Sequence, residues 1–181
     1  MKHLLLFTMC LFTLVCNAQQ PKIVYDNINS DGTRTMICSY CDAPTDSEIG
    51  LSFSLSATVT NGATIYGFFV VLETDSNITV NTGMKLLLKD NNDEVTTLSA
   101  MTESRKVFQD DGTFSIGIVY RINETMLLEL SKSGVKKIRV EHCGGKIDFE
   151  LDSRLIPWVI DNELPLLKEA VSTKKDIYSD F

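Results

Sequence analysis

The sequence predicts a mainly β protein, an antiparallel β-sandwich with a short crossing helix at about residues 124–133 and a C-terminal helical segment. Three observations carry this. Apolar and small polar residues alternate without a break from Ile49 to Thr60, the period of a strand with one buried and one wet face. Turn-forming groups such as Asn61-Gly62 and Asp110-Asp111-Gly112 recur at short intervals between apolar runs. Helical spacing is confined to two segments, both late in the chain. Short, evenly spaced strands with turns between them favour a sandwich over a βαβ arrangement.

The chain of 181 residues divides into residues 1–18 and a single domain over 19–181. Lys2 gives a positive start, Leu4 to Val15 form an apolar stretch too short to span a bilayer, and Cys16-Asn17-Ala18 offers small residues for cleavage before Gln19. A secretory signal peptide is expected, placing the mature protein in the periplasm, at the cell surface or outside the cell. Lipidation is not expected, because Cys10 follows Met9 and Cys16 follows Val15, whereas an acceptor cysteine needs a small residue before it.

Within the domain, Ile23 to Ile28 and Thr33 to Tyr40 are strands around the turn Ser30-Asp31-Gly32. Ile49 to Thr60 returns through Asn61-Gly62 into Ile65 to Leu72, which is apolar on both faces and therefore central. Met84 to Lys89 turns through Asp90-Asn91-Asn92-Asp93 into Val95 to Met101, and Arg105 to Gln109 turns through Asp110-Asp111-Gly112 into Phe114 to Ile122. Asn123 caps the crossing helix, Ile122 and Leu127 are placed to staple its start, and Gly134 stops it. Val135 to His142 and Lys146 to Leu151 form a hairpin about Gly144-Gly145, with Ile138, Val140 and His142 opposite Leu151, Phe149 and Ile147. From Ser153, a candidate cap, helical spacing runs over about residues 154–174, and Pro165 should kink or split that helix.

The formal net charge is −7, with 24 acidic against 17 basic residues. Such a chain repels phosphate backbones and anionic lipid, so neither nucleic acid nor a membrane surface is an expected partner. No apolar run after the first fifteen residues is long enough to cross a bilayer as a helix. An outer-membrane barrel ending in Phe181 is a further reading, opposed by the two helices and by the strand apolar on both faces.

Cys38-Ser39-Tyr40-Cys41 has redox-motif spacing, but it ends a strand and precedes Asp42-Ala43-Pro44, where a thioredoxin-type motif opens a helix. With His142 and Cys143 it completes the ligand list of a structural zinc site, yet neighbours on a strand point to opposite faces. The same objection meets a Cys143–His142 catalytic pair. In an oxidising compartment, Cys38, Cys41 and Cys143 are candidates for one disulfide and one thiol, with three pairings open. The acidic loops Asn27–Gly32 and Asp90–Glu94 lack the glycine or the closing glutamate of a calcium loop and fit hairpin turns better. No local motif singles out a glycosidase carboxylate pair, and Gly144-Gly145 has no helix after it to hold a phosphate. Tyr66, Phe68 and Phe69 could form a sugar-stacking platform, although core packing is their first reading, and Trp158 fits an anchor of the tail.

The segment Leu127-Leu128-Glu129-Leu130-Ser131-Lys132-Ser133-Gly134-Val135-Lys136-Lys137-Ile138-Arg139-Val140, together with Asp31-Gly32-Thr33-Arg34 and the tail Lys174-Lys175-Asp176-Ile177-Tyr178, resembles small uncharacterised secreted β-sandwich proteins of Gram-negative gut bacteria. The resemblance implies a β-sandwich with accessory helices and no particular activity, cofactor or site residue. The function expected is therefore an exported, non-enzymatic binding or structural module of the cell envelope with a protein or glycan partner, working without a cofactor. The alternative is a thiol- or zinc-dependent enzyme using Cys38, Cys41, His142 and Cys143.

Overall fold

The structure, a computed structural model, describes residues 20–173. The signal-peptide reading of residues 1–18, the resemblance carried by Lys174–Tyr178 and the terminal Phe181 lie outside the described residues. The fold is mainly antiparallel β with two helices. Its elements are β1 (Ile23–Ile28), β2 (Arg34–Cys38), β3 (Cys41–Ala43), β4 (Gly50–Thr60), β5 (Ala63–Thr74), β6 (Lys85–Lys89), β7 (Val95–Ala100), β8 (Arg105–Phe108) and β9 (Phe114–Ile122). Helix α1 (Glu124–Ser133), β10 (Lys137–His142), β11 (Gly145–Glu150) and α2 (Leu155–Ser172) follow within the described residues.

All strands belong to one hydrogen-bonded sheet in the order β1-β2-β4-β5-β9-β7-β6-β10-β11, with β3 added to β4 and β8 to β9. Strand β9 joins two leaves. Its first half pairs with β8, and its end reaches β7 only through Ser99↔Arg121 and Ala100↔Tyr120. Strand period sorts the side chains: Leu51, Phe53, Leu55 and Ala57 of β4 face inward opposite Leu72, Val70, Phe68 and Tyr66 of β5. These inward residues, except the half-buried Tyr66, are buried in one core with Leu86, Leu88, Ile138, Val140 and Phe149 of the other leaf. Helix α2 closes the inner face over β2 and β4 with Ile156, Val159, Ile160, Leu164 and Leu167.

Local chemistry explains most boundaries. Asn61 and Gly62 both take positive φ, 51° and 78°, which the two-residue turn between β4 and β5 requires. The Asn123 side chain accepts the Met126 N–H at 2.8 Å, and Gly134 at φ 72° ends α1 with its N–H donated to the Leu130 carbonyl. Helix α1 rests against α2, where Ser131 Oγ donates to Asp161 Oδ1 at 2.5 Å and Lys168 pairs with Glu124. No helix among the described residues is long and apolar enough to cross a membrane.

Four expectations are corrected. The β10–β11 turn is Cys143-Gly144, not Gly144-Gly145, because His142 pairs with Gly145. Each partner therefore moves by two residues, and Arg139 meets Asp148 through two hydrogen bonds of 2.6 and 2.7 Å. A shift of two leaves every side chain on its expected face. Helix α2 begins after Arg154 without a cap from Ser153; Asp152 instead accepts the Arg154 N–H at 3.0 Å. It is also not split at Pro165 but continues as one helix: the carbonyl that the proline leaves unpaired belongs to Asp161, an exposed residue. Finally, the strand expected over Thr33 to Tyr40 stops at Cys38, and Cys41–Ala43 forms a separate strand.

Candidate binding groove

The two helices pack on the inner face, so the outer face of β1, β2, β4, β5 and β9 is where side chains meet solvent. On β4 that face carries only hydroxyls, Ser52, Ser54, Ser56 and Thr58, because the apolar alternates turn inward. Their β5 partners are Val71, Phe69, Gly67 and Ile65 in register, and Val119, Gly117 and Ser115 continue the face on β9. Strand β8 adds Arg105 opposite Gly117 and Val107 opposite Ser115.

Two glycines shape the floor. A Cβ on Gly67 would stand 2.4 Å from Ser56 Oγ and 2.8 Å from Val119 Cγ1, so both neighbours lie across the bare backbone. A Cβ on Gly117 would stand 3.1 Å from Phe69 Cζ, so the Phe69 ring covers a diagonal neighbour that only glycine leaves open. Two hollows result, of about 570 and 290 Å³, which share Phe69, Arg105 and Gly117 and so make one groove. The combined space is of the size that small ligands occupy.

The rim is apolar and aromatic. Tyr25, Tyr40, Met101 and Val107 are exposed large hydrophobic side chains, and all four line the groove. The Tyr40 ring lies 5.6 Å from that of Phe69, tilted by 36°. Ser54, opposite Phe69 on the same face, is fully buried, and its hydroxyl has no hydrogen-bond partner among the described residues. Charge is sparse. Asp42 and Glu73 border the smaller hollow, with Asp42 Oδ1 accepting the Ser52 hydroxyl at 2.7 Å. Among the described residues, Arg105 is the one charged residue lining the larger hollow. That guanidinium is exposed and meets no hydrogen-bond or ion-pair partner among the described residues.

The cysteine set lies elsewhere. Pairing to β4 changes register by one between Ile37↔Ser56 and Cys41↔Phe53, so one extra residue bulges at Cys38-Ser39-Tyr40. The bulge turns both cysteines of the odd-spaced motif toward the inner face, and it is stitched by Ser39 N–H donating to the Lys22 carbonyl at 2.8 Å. Cys38 is fully buried, and burial, with the charge of Glu163 behind it, pushes its thiol up to about 12, which makes it a poor nucleophile near neutral pH. Cys38 and Cys143 form no disulfide among the described residues. Cys143 is exposed in the β10–β11 turn beside His142, whose Nδ1 accepts the Gly144 N–H at 3.2 Å. Among the described residues, no three His, Cys, Asp or Glu side chains gather to hold a metal ion.

The acidic loops are turns. Asp90 Oδ1 accepts the N–H groups of Asn92 and Glu94, Asp93 is paired with Lys89 and Lys136, and Asp31 accepts the Thr33 N–H. The aromatic run divides: Phe68 is core, 5.7 Å from Phe53, Tyr66 faces inward half-buried, and Phe69 alone faces the groove. Trp158 is half-buried against the core.

Sequence reasoning missed Tyr40, Arg105 and the two floor glycines as one site. The usable signal was glycine inside two otherwise apolar strands, which marks a close approach, beside an all-hydroxyl face on β4. Fold and site together define an antiparallel β protein with an open amphipathic groove on one sheet face. No family model matches the chain, and neither the curated proteins nor the solved structures give a match.

Proposed function

We propose that the chain is an exported, non-enzymatic binding module of the cell envelope that recognises its partner through the outer-face groove. One observation carries this reading: the groove gathers exposed aromatic and aliphatic side chains, a row of hydroxyls and one unpaired cation on a sheet face that neither helix covers. Apolar contact with a few placed polar groups is the usual composition of a recognition site. Support for export comes from the N-terminal pattern of Lys2, the apolar stretch to Val15 and Ala18. The test is to isolate the mature protein, confirm by mass that it starts at Gln19, and probe arrays of glycans and purified envelope proteins with wild type and Tyr40→Ala. Binding that Tyr40→Ala removes supports the proposal. Binding that ignores Tyr40→Ala, or no binding on either array, counts against it.

A further inference from the structure

Resting on that reading, the geometry points to a ligand class: we infer that the groove takes a uronic-acid-containing oligosaccharide, with Arg105 holding the sugar carboxylate and Tyr40 and Phe69 receiving a pyranose face. The charge argument comes first. Arg105, without an ion-pair or hydrogen-bond partner among the described residues, stands at the junction of the two hollows. Its fork of donors matches a carboxylate in two parallel hydrogen bonds. Among the described residues no acidic side chain lines the larger hollow, and Asp42 and Glu73, which border the smaller hollow with Arg105, form no ion pair with it.

The surrounding groups favour a sugar over a peptide. Thr58, Thr35 and Thr102 line the larger hollow with hydroxyls that can both donate and accept, as sugar hydroxyls require, whereas the buried Ser56 hydroxyl already donates to the Gly67 carbonyl at 3.3 Å. The backbone beneath is already committed, since β4 pairs with β2 and β5, and β5 with β4 and β9, so only the wall strands β3 and β8, of three and four residues and each paired on one side, keep an edge on which to add a peptide. The tilted ring pair offers the flat apolar surface that the C–H face of a pyranose covers.

The experiment titrates the mature protein by calorimetry with tetragalacturonate, tetramannuronate and a glucuronate-containing tetrasaccharide, each beside its methyl ester, and with hexaglutamate as the peptide control. At least one acid should bind about tenfold or more tighter than its ester. Added salt should weaken the acid more than the ester, and Arg105→Gln should collapse the acid-to-ester ratio to about one. Arg105 is exposed, so an unchanged denaturation midpoint will certify the variant's fold. Equal affinity for acid and ester, a ratio that survives Arg105→Gln, or tighter binding of hexaglutamate overturns the uronate inference. In each of those cases, loss of the observed binding in Tyr40→Ala keeps the groove as the recognition surface. Failure of every saccharide to bind overturns the inference as well, and the arrays of glycans and envelope proteins then decide the groove reading separately.

Discussion

The Glu163 side chain accepts the backbone N–H of Leu55 at 2.6 Å, tying α2 to β4 where β2 gives way to β3. The bulge of Cys38-Ser39-Tyr40 interrupts the ladder on that side of β4. An N–H left unpaired inside the core would cost about 1–3 kcal/mol, and Glu163, 1% exposed, supplies its partner. Burial in turn pushes the Glu163 carboxyl from its ordinary 4.5 up to about 8.

That shift fixes a pH dependence. Between about 4.5 and 8 the folded protein keeps a proton on Glu163 that the unfolded chain releases. Its contribution to stability is therefore complete below about 4.5 and is lost as pH rises through about 8. Glu163→Gln keeps an oxygen for the Leu55 N–H and cannot ionise, so urea denaturation should show a smaller fall in stability from pH 5 to 8.5 than in wild type. Equal slopes for the two proteins would show that Glu163 is not the titrating group. Glu163→Ala removes the acceptor and should cost about 1–3 kcal/mol at pH 5.

Arg34 performs a similar service at the C-terminal end of α2. Its Nε and Nη2 hold both oxygens of Asp26 at 2.8 Å, while Nη1 donates to the carbonyls of Ala170 and Thr173 at 2.8 and 2.9 Å. Two carbonyls at the helix end thus find a donor on β2. Arg34→Gln should destabilise the protein by about 1–3 kcal/mol and speed amide exchange in the last turn of α2 relative to its first. Uniform exchange along the helix would mean that the terminus is held by other contacts.

The groove floor makes a steric prediction. Gly67→Ala places a methyl 2.4 Å from Ser56 Oγ and 2.8 Å from Val119 Cγ1, an overpacking that should cost about 1–3 kcal/mol. Adding Ser56→Ala relieves the first clash and leaves the second, so the double variant should recover part of the loss, not all of it. Full additivity of the two substitutions in denaturation experiments would mean that the side chains do not meet.

Local features were legible in the sequence, and cross-strand ones were not. The alternation of β4, the Asn61-Gly62 turn and the Asn123 and Gly134 caps each depend on residues within one turn or strand, and each stands where expected. The separate β3 was hidden because one bulged residue shifts register without disturbing composition. The one-residue error in the β10–β11 turn has a similar origin, since Cys143-Gly144 and Gly144-Gly145 are both acceptable turns and keep the same faces. Glu163 was within reach: Ile156, Val159, Ile160, Leu164 and Leu167 form a helical stripe, and Glu163 is the acid standing in it. The groove was not, because Phe69, Gly117 and Arg105 meet only through pairing of strands distant in sequence.

Two buried hydroxyls set the two faces of the sheet against each other. Tyr120, on the inner face of β9, is fully buried with no partner for its hydroxyl among the described residues, as is Ser54 on the outer face of β4. Burial, followed by the charge of Glu141, raises the Tyr120 hydroxyl well above its ordinary value, so it stays neutral. A neutral, unpaired hydroxyl still carries a desolvation cost, and Tyr120→Phe removes it while keeping the ring. Stability should rise, by up to about 1–2 kcal/mol, and Ser54→Ala should act in the same direction. Ligand separates the two sites. Tyr120 belongs to the core, so its substitution should leave affinity for any groove ligand unchanged. Ser54 lies opposite Phe69, so a bound ligand that shifts the ring and hydrogen-bonds this hydroxyl would make Ser54→Ala stabilising in the free protein and weakening in the complex. Thermal denaturation with and without ligand reads both effects, and a drop in melting temperature for ligand-free Tyr120→Phe would show that its hydroxyl is hydrogen-bonded in solution.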